Sequence, residues 1–234
     1  MSAPVILAID TATELCSVAL LHTQLVERSE GVGQKHSDRV LPLIDDVLRA
    51  GGLRLRDVDA FAFGAGPGSF TGLRIACGVV QGLAYASKRP VIGVGNLRAL
   101  AAAVFARHPR ATVALVAIDA RMHEAYCGVY RNDDAVAELR APALESPAAL
   151  DSIRLEFGAD VVAGDALTVF PEAWDGLTGV RLPELRGGAG DIARLARIDF
   201  GHGRAVTAAE AMPLYVRDRV ALTIDERRQK EVAR

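Results

Sequence analysis

The sequence predicts an α/β protein of two lobes, each opening on a strand meander. Three observations carry this. Short apolar runs alternate with stretches of helical periodicity. Half of the 234 residues are hydrophobic, enough for one large core or two modest ones. Finally, Ile6-Leu7-Ala8-Ile9-Asp10 is echoed by Leu115-Val116-Ala117-Ile118-Asp119, and each copy leads through a polar turn into a further strand, Cys16 to Leu21 and Ala125 to Tyr130. One supersecondary unit occurs twice. That places a first lobe over 1–106 and a second, reduced lobe over 107–234, with the last helix free to return to the first lobe.

The elements follow in order. Val5 to Ile9 is a short apolar run ending in Asp10, and Ser17 to Leu21 and Leu25 to Ser29 are the next strands, joined by turns too short for crossover helices. Ser37 to Ala50 carries Val40, Leu41, Ile44, Val47 and Leu48 at helical spacing. Ser37 is its expected N-cap, Gly51-Gly52 its stop, and Pro42 lies early, where a first turn tolerates it. The strand Ala60 to Phe63 leads through a glycine-rich loop into a helix over Leu73 to Ser87. A short strand, Val91 to Val94, and an alanine-rich helix, Asn96 to Ala106, complete the first lobe.

The loop Gly64-Ala65-Gly66-Pro67-Gly68-Ser69-Phe70-Thr71-Gly72-Leu73-Arg74 is the most distinctive stretch. Its glycines open backbone conformations that other residues avoid, and Ser69 or Thr71 can accept a hydrogen bond from the first free N–H groups of the helix. No Gly-Lys-Ser/Thr closes it and its spacing is not G-x-G-x-x-G, so it matches neither common nucleotide loop. Two readings stand side by side: a tight strand-to-helix corner, and an anion-binding turn.

Composition narrows the chemistry. The formal net charge is −2, so no basic balance argues for nucleic-acid binding by this chain alone, and RNA contact is expected only through a partner. Cys16, Cys77 and Cys127 are widely spaced and odd in number, which suits a reducing cytoplasm better than a disulfide framework or a zinc knuckle. No apolar run approaches the roughly 20 residues of a membrane span, and no secretory leader is expected. His22, His36, His108, His123 and His202 are isolated from one another, so no metal site is expected. Gly164-Asp165 and Gly187-Gly188-Ala189-Gly190 are read as ordinary loops, with an adenosine pocket as the alternative.

Taken together, Ile6 to Thr13 with Cys16 to Leu20, His36-Ser37 with Leu41-Pro42-Leu43-Ile44, the Gly64 to Arg74 loop, and Pro213-Leu214-Tyr215-Val216-Arg217 resemble the TsaB (YeaZ) family over nearly the whole chain. The resemblance implies a two-lobed actin-like (ASKHA, ribonuclease H-like) fold, which matches the internal repeat. It also implies a role in making threonylcarbamoyladenosine beside the anticodon of tRNAs that read codons starting with A. In this family the chain is not the transferase. It pairs with a TsaD-type subunit, which carries the metal and the transfer chemistry, and the TsaE-type ATPase joins them; alone, a homodimer is expected. No cofactor is then required by this chain, since ATP and metal belong to the partners, and no catalytic residue is expected.

On that basis Asp10, Thr11, Gly66, Gly68, Ser69, Thr71, Gly72 and Arg74 are candidates for a vestigial phosphate loop, although Asp10 and Asp119 can equally cap turns. The second turn, Ala120-Arg121-Met122-His123-Glu124, lacks glycine and puts bulky side chains where a phosphate needs close backbone approach. A partner face is expected on His36, Leu41 and Ile44 of one helix and Ala76, Gly78, Val79, Val80, Gly82 and Leu83 of the next, Gly78 and Gly82 leaving it smooth. The competing expectation is an actin-like small-molecule kinase or ATPase, with the loop holding phosphate and Asp10 holding magnesium. A peptidase would need a metal set or a nucleophile with its base, and no pattern around Ser69 or Thr71 identifies one. The charged tail from Thr223 to Arg234 is read as a solvated end, with contact to a partner subunit as the alternative.

Overall fold

In a computed structural model, which describes residues 3–33, 35–177 and 179–217, the chain forms two five-stranded sheets with helices between and outside them. The charged tail from Thr223 to Arg234, expected to be a solvated end, lies outside the described residues. The first lobe runs β1 (Ile6–Asp10), β2 (Leu15–Leu21), β3 (Leu25–Gly31), α1 (His36–Ala50), β4 (Ala60–Gly66), α2 (Phe70–Ser87), β5 (Val91–Gly95) and α3 (Asn96–Arg107). The second runs β6 (Val113–Asp119), β7 (Ala125–Arg131), β8 (Ala137–Glu145), α4 (Pro147–Phe157), β9 (Val161–Ala163), α5 (Ala166–Val169), β10 (Val180–Leu182) and α6 (Ala189–Gly201).

The two sheets repeat one topology. The first has the order β3-β2-β1-β4-β5 and the second β8-β7-β6-β9-β10. In each, an antiparallel meander is followed by two strands parallel to its first strand: β1 pairs β2 antiparallel and β4 parallel, and β6 pairs β7 antiparallel and β9 parallel. This is the actin-like duplication. The second copy is shorter on its parallel side, where β9 and β10 have three residues each and α5 has four against eighteen in α2.

Strand alternation sorts the core into three layers. Leu7 and Ile9 of β1 face outward onto α1 and α2, and Ile6 and Ala8 face inward. In the second lobe Leu115 and Ala117 pack outward with Leu150, Phe170 and Trp174, while Ala114 and Val116 face inward. Between the sheets lies one shared core in which α3 and α6 cross over. The helix α3 packs on β6, β7 and β9 of the second sheet as well as on β4 and β5 of its own, and α6 packs on β1, β2, β4 and β5 of the first. Burying Leu97, Leu100 and Val104 of α3 and Ile192 and Leu195 of α6 stabilises this layer by roughly 1.5–3 kcal/mol per side chain. A cut at 106/107 therefore separates the sheets along the chain but not their cores.

Two helix starts differ from the sequence expectation. The helix α1 begins at His36 with Lys35 at its N-cap, so Ser37 lies inside the first turn and its hydroxyl turns to Asp38. The helix α2 begins at Phe70, not Leu73: Ser69 is its N-cap and accepts from Gly72 N at 3.3 Å, while Thr71 is a helical residue. No helix among the described residues is long and apolar enough to cross a membrane.

Candidate functional site

The repeat brings like parts of the two lobes face to face, and a cleft of about 840 Å³ opens between them. One wall is the β4–α2 loop, residues 67–73. The other is the β6–β7 turn, residues 118–122, with Asp165. The segment 214–217, which follows α6, crosses between them.

On the first wall the loop is closed by its own chain. A Cβ at Gly72 would run into the carbonyl of Thr11, and one at Gly68 would come within 2.7 Å of Ala12 Cβ. Ser69 N–H donates to Ala12 O at 2.8 Å and Thr11 Oγ1 donates to Gly72 O at 2.7 Å. Gly66, at φ +123°, passes beneath Leu214, whose carbonyl lies 2.5 Å from where a Cβ would stand. These three glycines thus admit the β1–β2 turn and the chain after α6.

Of the phosphate-loop candidates, Gly68, Ser69, Thr71 and Gly72 line the cleft, while Asp10, Thr11 and Gly66 stand behind it. Asp10 Oδ1 accepts from Ala12 N and from Asn96 Nδ2, both at 3.0 Å, and Asn96 Oδ1 accepts from Gly66 N at 2.7 Å. Burial pushes the Asp10 carboxyl above its ordinary value, opposed by the Ala12 and Asn96 hydrogen bonds and by His36. It is built as a turn cap. Arg74 lies 3.9 Å over the Phe70 ring and its Nε donates to Tyr215 Oη at 3.1 Å.

The second wall is made differently. Arg121, Met122 and His123 all lie in the left-handed region, at φ 65°, 56° and 61°. That conformation costs roughly 1–2 kcal/mol for each non-glycine residue. The turn is held by Ala120 N donating to Glu124 O and Glu124 N to Arg121 O. Asp119 N donates to Asp165 Oδ1 at 2.8 Å, Asp119 Oδ1 accepts from Arg121 N at 2.8 Å, and the His123 ring stands edge-on to Phe170 at 5.3 Å. Met122 is 74% exposed toward the cleft.

The glycine clusters resolve into packing. Gly164, at φ +110°, lets β9 pass the carbonyl of Ala117. Gly187 abuts the backbone of Ala99 and Leu100, Gly190 N donates to Glu27 Oε1 and Ala189 N to Ser17 Oγ, both at 3.0 Å. The α6 N-terminus is thereby capped by the first lobe and presents no free donors to an adenosine there.

The nine residues assigned to a partner face do not share one surface. Ala76 and Val80 are fully buried against the first sheet, and Ile44 is buried with them. His36 is buried too, its Nε2 2.9 Å from Thr13 O. Val79 and Leu83 pack partly into the same core. These are core positions because the side of α2 facing β4 has the same helical spacing as any contact stripe. Leu41, Gly78 and Gly82 do reach the surface, with Tyr85, 83% exposed, beside them on α2. The sequence reading names Phe70 only as part of the loop, Met122 only among the bulky residues of the second turn and Asp165 only beside a glycine, and gives Tyr215 and Arg217 no role of their own; the signal available for the last two was the Tyr-x-Arg pattern after the final helix.

Among the described residues no group of three or more His, Cys, Asp or Glu side chains is placed to hold a metal ion. Burial pushes the thiols of Cys16 and Cys127 up to about 11 and about 12, so neither offers a thiolate near neutral pH.

Comparison with known proteins agrees with this geometry. The family profile for TsaD, tRNA N6-adenosine threonylcarbamoyltransferase, matches residues 16–167. The tRNA threonylcarbamoyladenosine biosynthesis protein TsaB of Escherichia coli is 38% identical over 92% of this chain and 96% of its own length. That of Haemophilus influenzae is 50% identical over about half of each chain, 52% and 51%. YeaZ from Pseudomonas aeruginosa superposes with a TM-score of 0.81 at 38% identity, covering 92% of this chain and 100% of that one. A ROK hexokinase from Thermus thermophilus shares the fold alone, with a TM-score of 0.51 at 13% identity over 86% of this chain and 99% of that one. With a curated relative matched nearly end to end and the same two-lobed architecture, the chain belongs to the TsaB (YeaZ) family of tRNA threonylcarbamoyladenosine biosynthesis proteins.

Proposed function

We propose that this chain is a non-catalytic subunit that binds a TsaD-type transferase and activates threonylcarbamoyl transfer to the adenosine beside the anticodon. Family membership makes it a protein of tRNA threonylcarbamoyladenosine biosynthesis; the division of labour within the pathway is our reading. The observation that carries it is the closure of the glycine loop, whose Gly66, Gly68 and Gly72 are packed against Leu214, Ala12 and Thr11. A backbone filled from behind by its own chain is a structural corner, and the facing turn meets the cleft with side chains.

Such a subunit works through binding energy. If it binds the active form of the transferase more tightly than the inactive one, a differential of a few kcal/mol shifts the population. The surface that suits this contact is the exposed edge of α1 and α2, with Leu41, Gly78, Gly82 and Tyr85. Among the described residues nothing lies within 4 Å of a Cβ at either glycine, so another helix can approach closely. In the partner's absence a second copy of the chain uses the same face. ATP and metal reside with the TsaD-type and TsaE-type subunits, tRNA is met through the complex, and the setting is the cytoplasm.

The test is threonylcarbamoyladenosine formation on tRNA with purified TsaD, TsaE and the synthase of the threonylcarbamoyl adenylate, with and without this chain. Product that depends on the chain, together with inactivity of the chain alone, supports the proposal. Unchanged product on omission removes it, and tight magnesium-dependent ATP binding by the isolated chain would favour the kinase.

A further inference from the structure

The chain leaves α6 on the first-lobe side and runs back along that lobe to the mouth of the cleft. Val206 bridges Val91 of β5, and the Ala211 carbonyl accepts from Gln81 Nε2 at 2.9 Å and Cys77 Sγ at 3.5 Å. Leu214 N donates to Ala65 O at 2.7 Å, and the Tyr215 ring lies 5.5 Å from that of Phe70. To this point every anchor is in the first lobe.

Arg217 then changes lobes. Its Nη2 donates to Glu124 Oε2 at 2.7 Å and to Ala120 O at 3.1 Å, and its Nη1 lies 3.4 Å from Met122 Sδ. The guanidinium thus meets the two ends and the centre of the left-handed turn. Its side chain is only 15% exposed, so water screens the ion pair less than on an open surface.

We propose that Arg217 is an interlobe latch. Anchored on the first lobe through Leu214 and Tyr215, it holds residues 121–123 in their left-handed conformation and fixes the opening of the cleft. Three successive non-glycine residues at positive φ persist only where their surroundings over-determine them. Arg217 supplies that constraint by donating to the carbonyl that starts the turn and the carboxylate that ends it. Removing it frees the turn to relax and uncouples the strap from the second lobe.

The latch is tested on the chain by itself, so the result is independent of the transferase reading. Amide hydrogen exchange is measured on the parent, Arg217→Met and Glu124→Gln. Distances between spin labels on Ala86→Cys of α2 and Leu155→Cys of α4, both exposed, are measured in the parent and Arg217→Met backgrounds; the native cysteines are buried. Arg217→Met is expected to speed exchange at 120–124 by about tenfold or more, the scale of a lost charged hydrogen bond, and to broaden the distance distribution. Glu124→Gln keeps the Ala120 contact and should move exchange in the same direction by less. Unchanged exchange and distances in Arg217→Met would overturn the proposal. So would acceleration spread equally over β1 and β4, which would make Arg217 a general stability element.

Discussion

The two strand-to-helix corners, one in each lobe, solve the same problem with different chemistry. Both must bring a helix start past the end of the first meander strand. In the first lobe the β4–α2 loop does so by removing side chains: a Cβ at Gly72 would meet Thr11 O, one at Gly68 would meet Ala12, and Thr11 Oγ1 ties the layers together. In the second lobe a single glycine, Gly164, clears Ala117 O, and the side chain of Asp165 then caps Asp119 N at 2.8 Å. The fold therefore requires one glycine at such a corner. The additional ones in the first lobe follow from a closer approach of the loop to the turn and from the strap passing over Gly66.

The sharpest way to break this comparison is to put a methyl group at each corner. Gly72→Ala faces backbone, which cannot swing aside, and should cost about 3 kcal/mol or more in chemical denaturation. Gly164→Ala should cost a similar amount, because it adds a strained φ of +110° to the clash. A loss below about 1 kcal/mol at either position would show that the corner is not tight.

A smaller contrast lies in the ties themselves. Asp165→Ala leaves the part-buried Asp119 N–H without its acceptor and should cost about 1–3 kcal/mol. Thr11→Val should cost only about 1 kcal/mol, since the Gly72 carbonyl it abandons still receives the helical hydrogen bond from four residues on. Equal losses would mean that the second lobe does not depend on its side-chain cap more than the first depends on its hydroxyl.

Much of this arrangement was legible in the sequence. The echo of Ile6–Asp10 in Leu115–Asp119 announced the duplicated meander, and both copies are observed as β1–β2 and β6–β7. Among the first-lobe helices α1 was the most legible, because Val40, Ile44, Val47 and Leu48 form one apolar stripe. What was not legible is long-range. Nothing local says that α3 packs on the second sheet as well as its own or that α6 packs on the first, since a buried alanine-rich face fits either one. For the same reason Ala76 and Val80 were misplaced on a partner surface: periodicity gives the orientation of a stripe and not what covers it. The roles of Tyr215 and Arg217 were hidden because their partners, Arg74 and Glu124, stand 141 and 93 residues away.

The strand ends offer a test with a sign. Asp10 and Asp119 occupy matching positions, but Asp10 is buried and its carboxyl is raised by that burial, whereas Asp119 reaches the cleft and lies 3.1 Å from Arg121. A carboxyl raised on folding favours the protonated folded state. Its stabilising contribution is present below the unfolded value, 3.8, and is lost as pH rises through the folded value. Asp10→Asn removes that loss while keeping an oxygen for Ala12 N–H and Asn96. The variant should therefore gain on the parent as pH is raised from below 3.8 to neutral, measured as the difference between urea midpoints. A difference independent of pH would mean that Asp10 does not carry the burial penalty, and a magnesium-dependent gain in the parent alone would revive its role as a metal ligand.

The smallest expected effect separates corner glycines from surface glycines. Gly78 and Gly82 lie in the middle of α2 with nothing among the described residues within 4 Å of a Cβ, so no packing among those residues requires them. Replacing either by alanine should raise stability by roughly 0.5–1 kcal/mol through helix propensity. A stability cost carried by both positions without a structural reason among the described residues points outward, to a helix that approaches this face. The informative result is a pair of opposite signs: Gly78→Ala and Gly82→Ala melting higher than the parent yet assembling more weakly with the TsaD-type subunit. Higher melting with unchanged assembly would take the glycines off the contact and leave it to Leu41 and Tyr85.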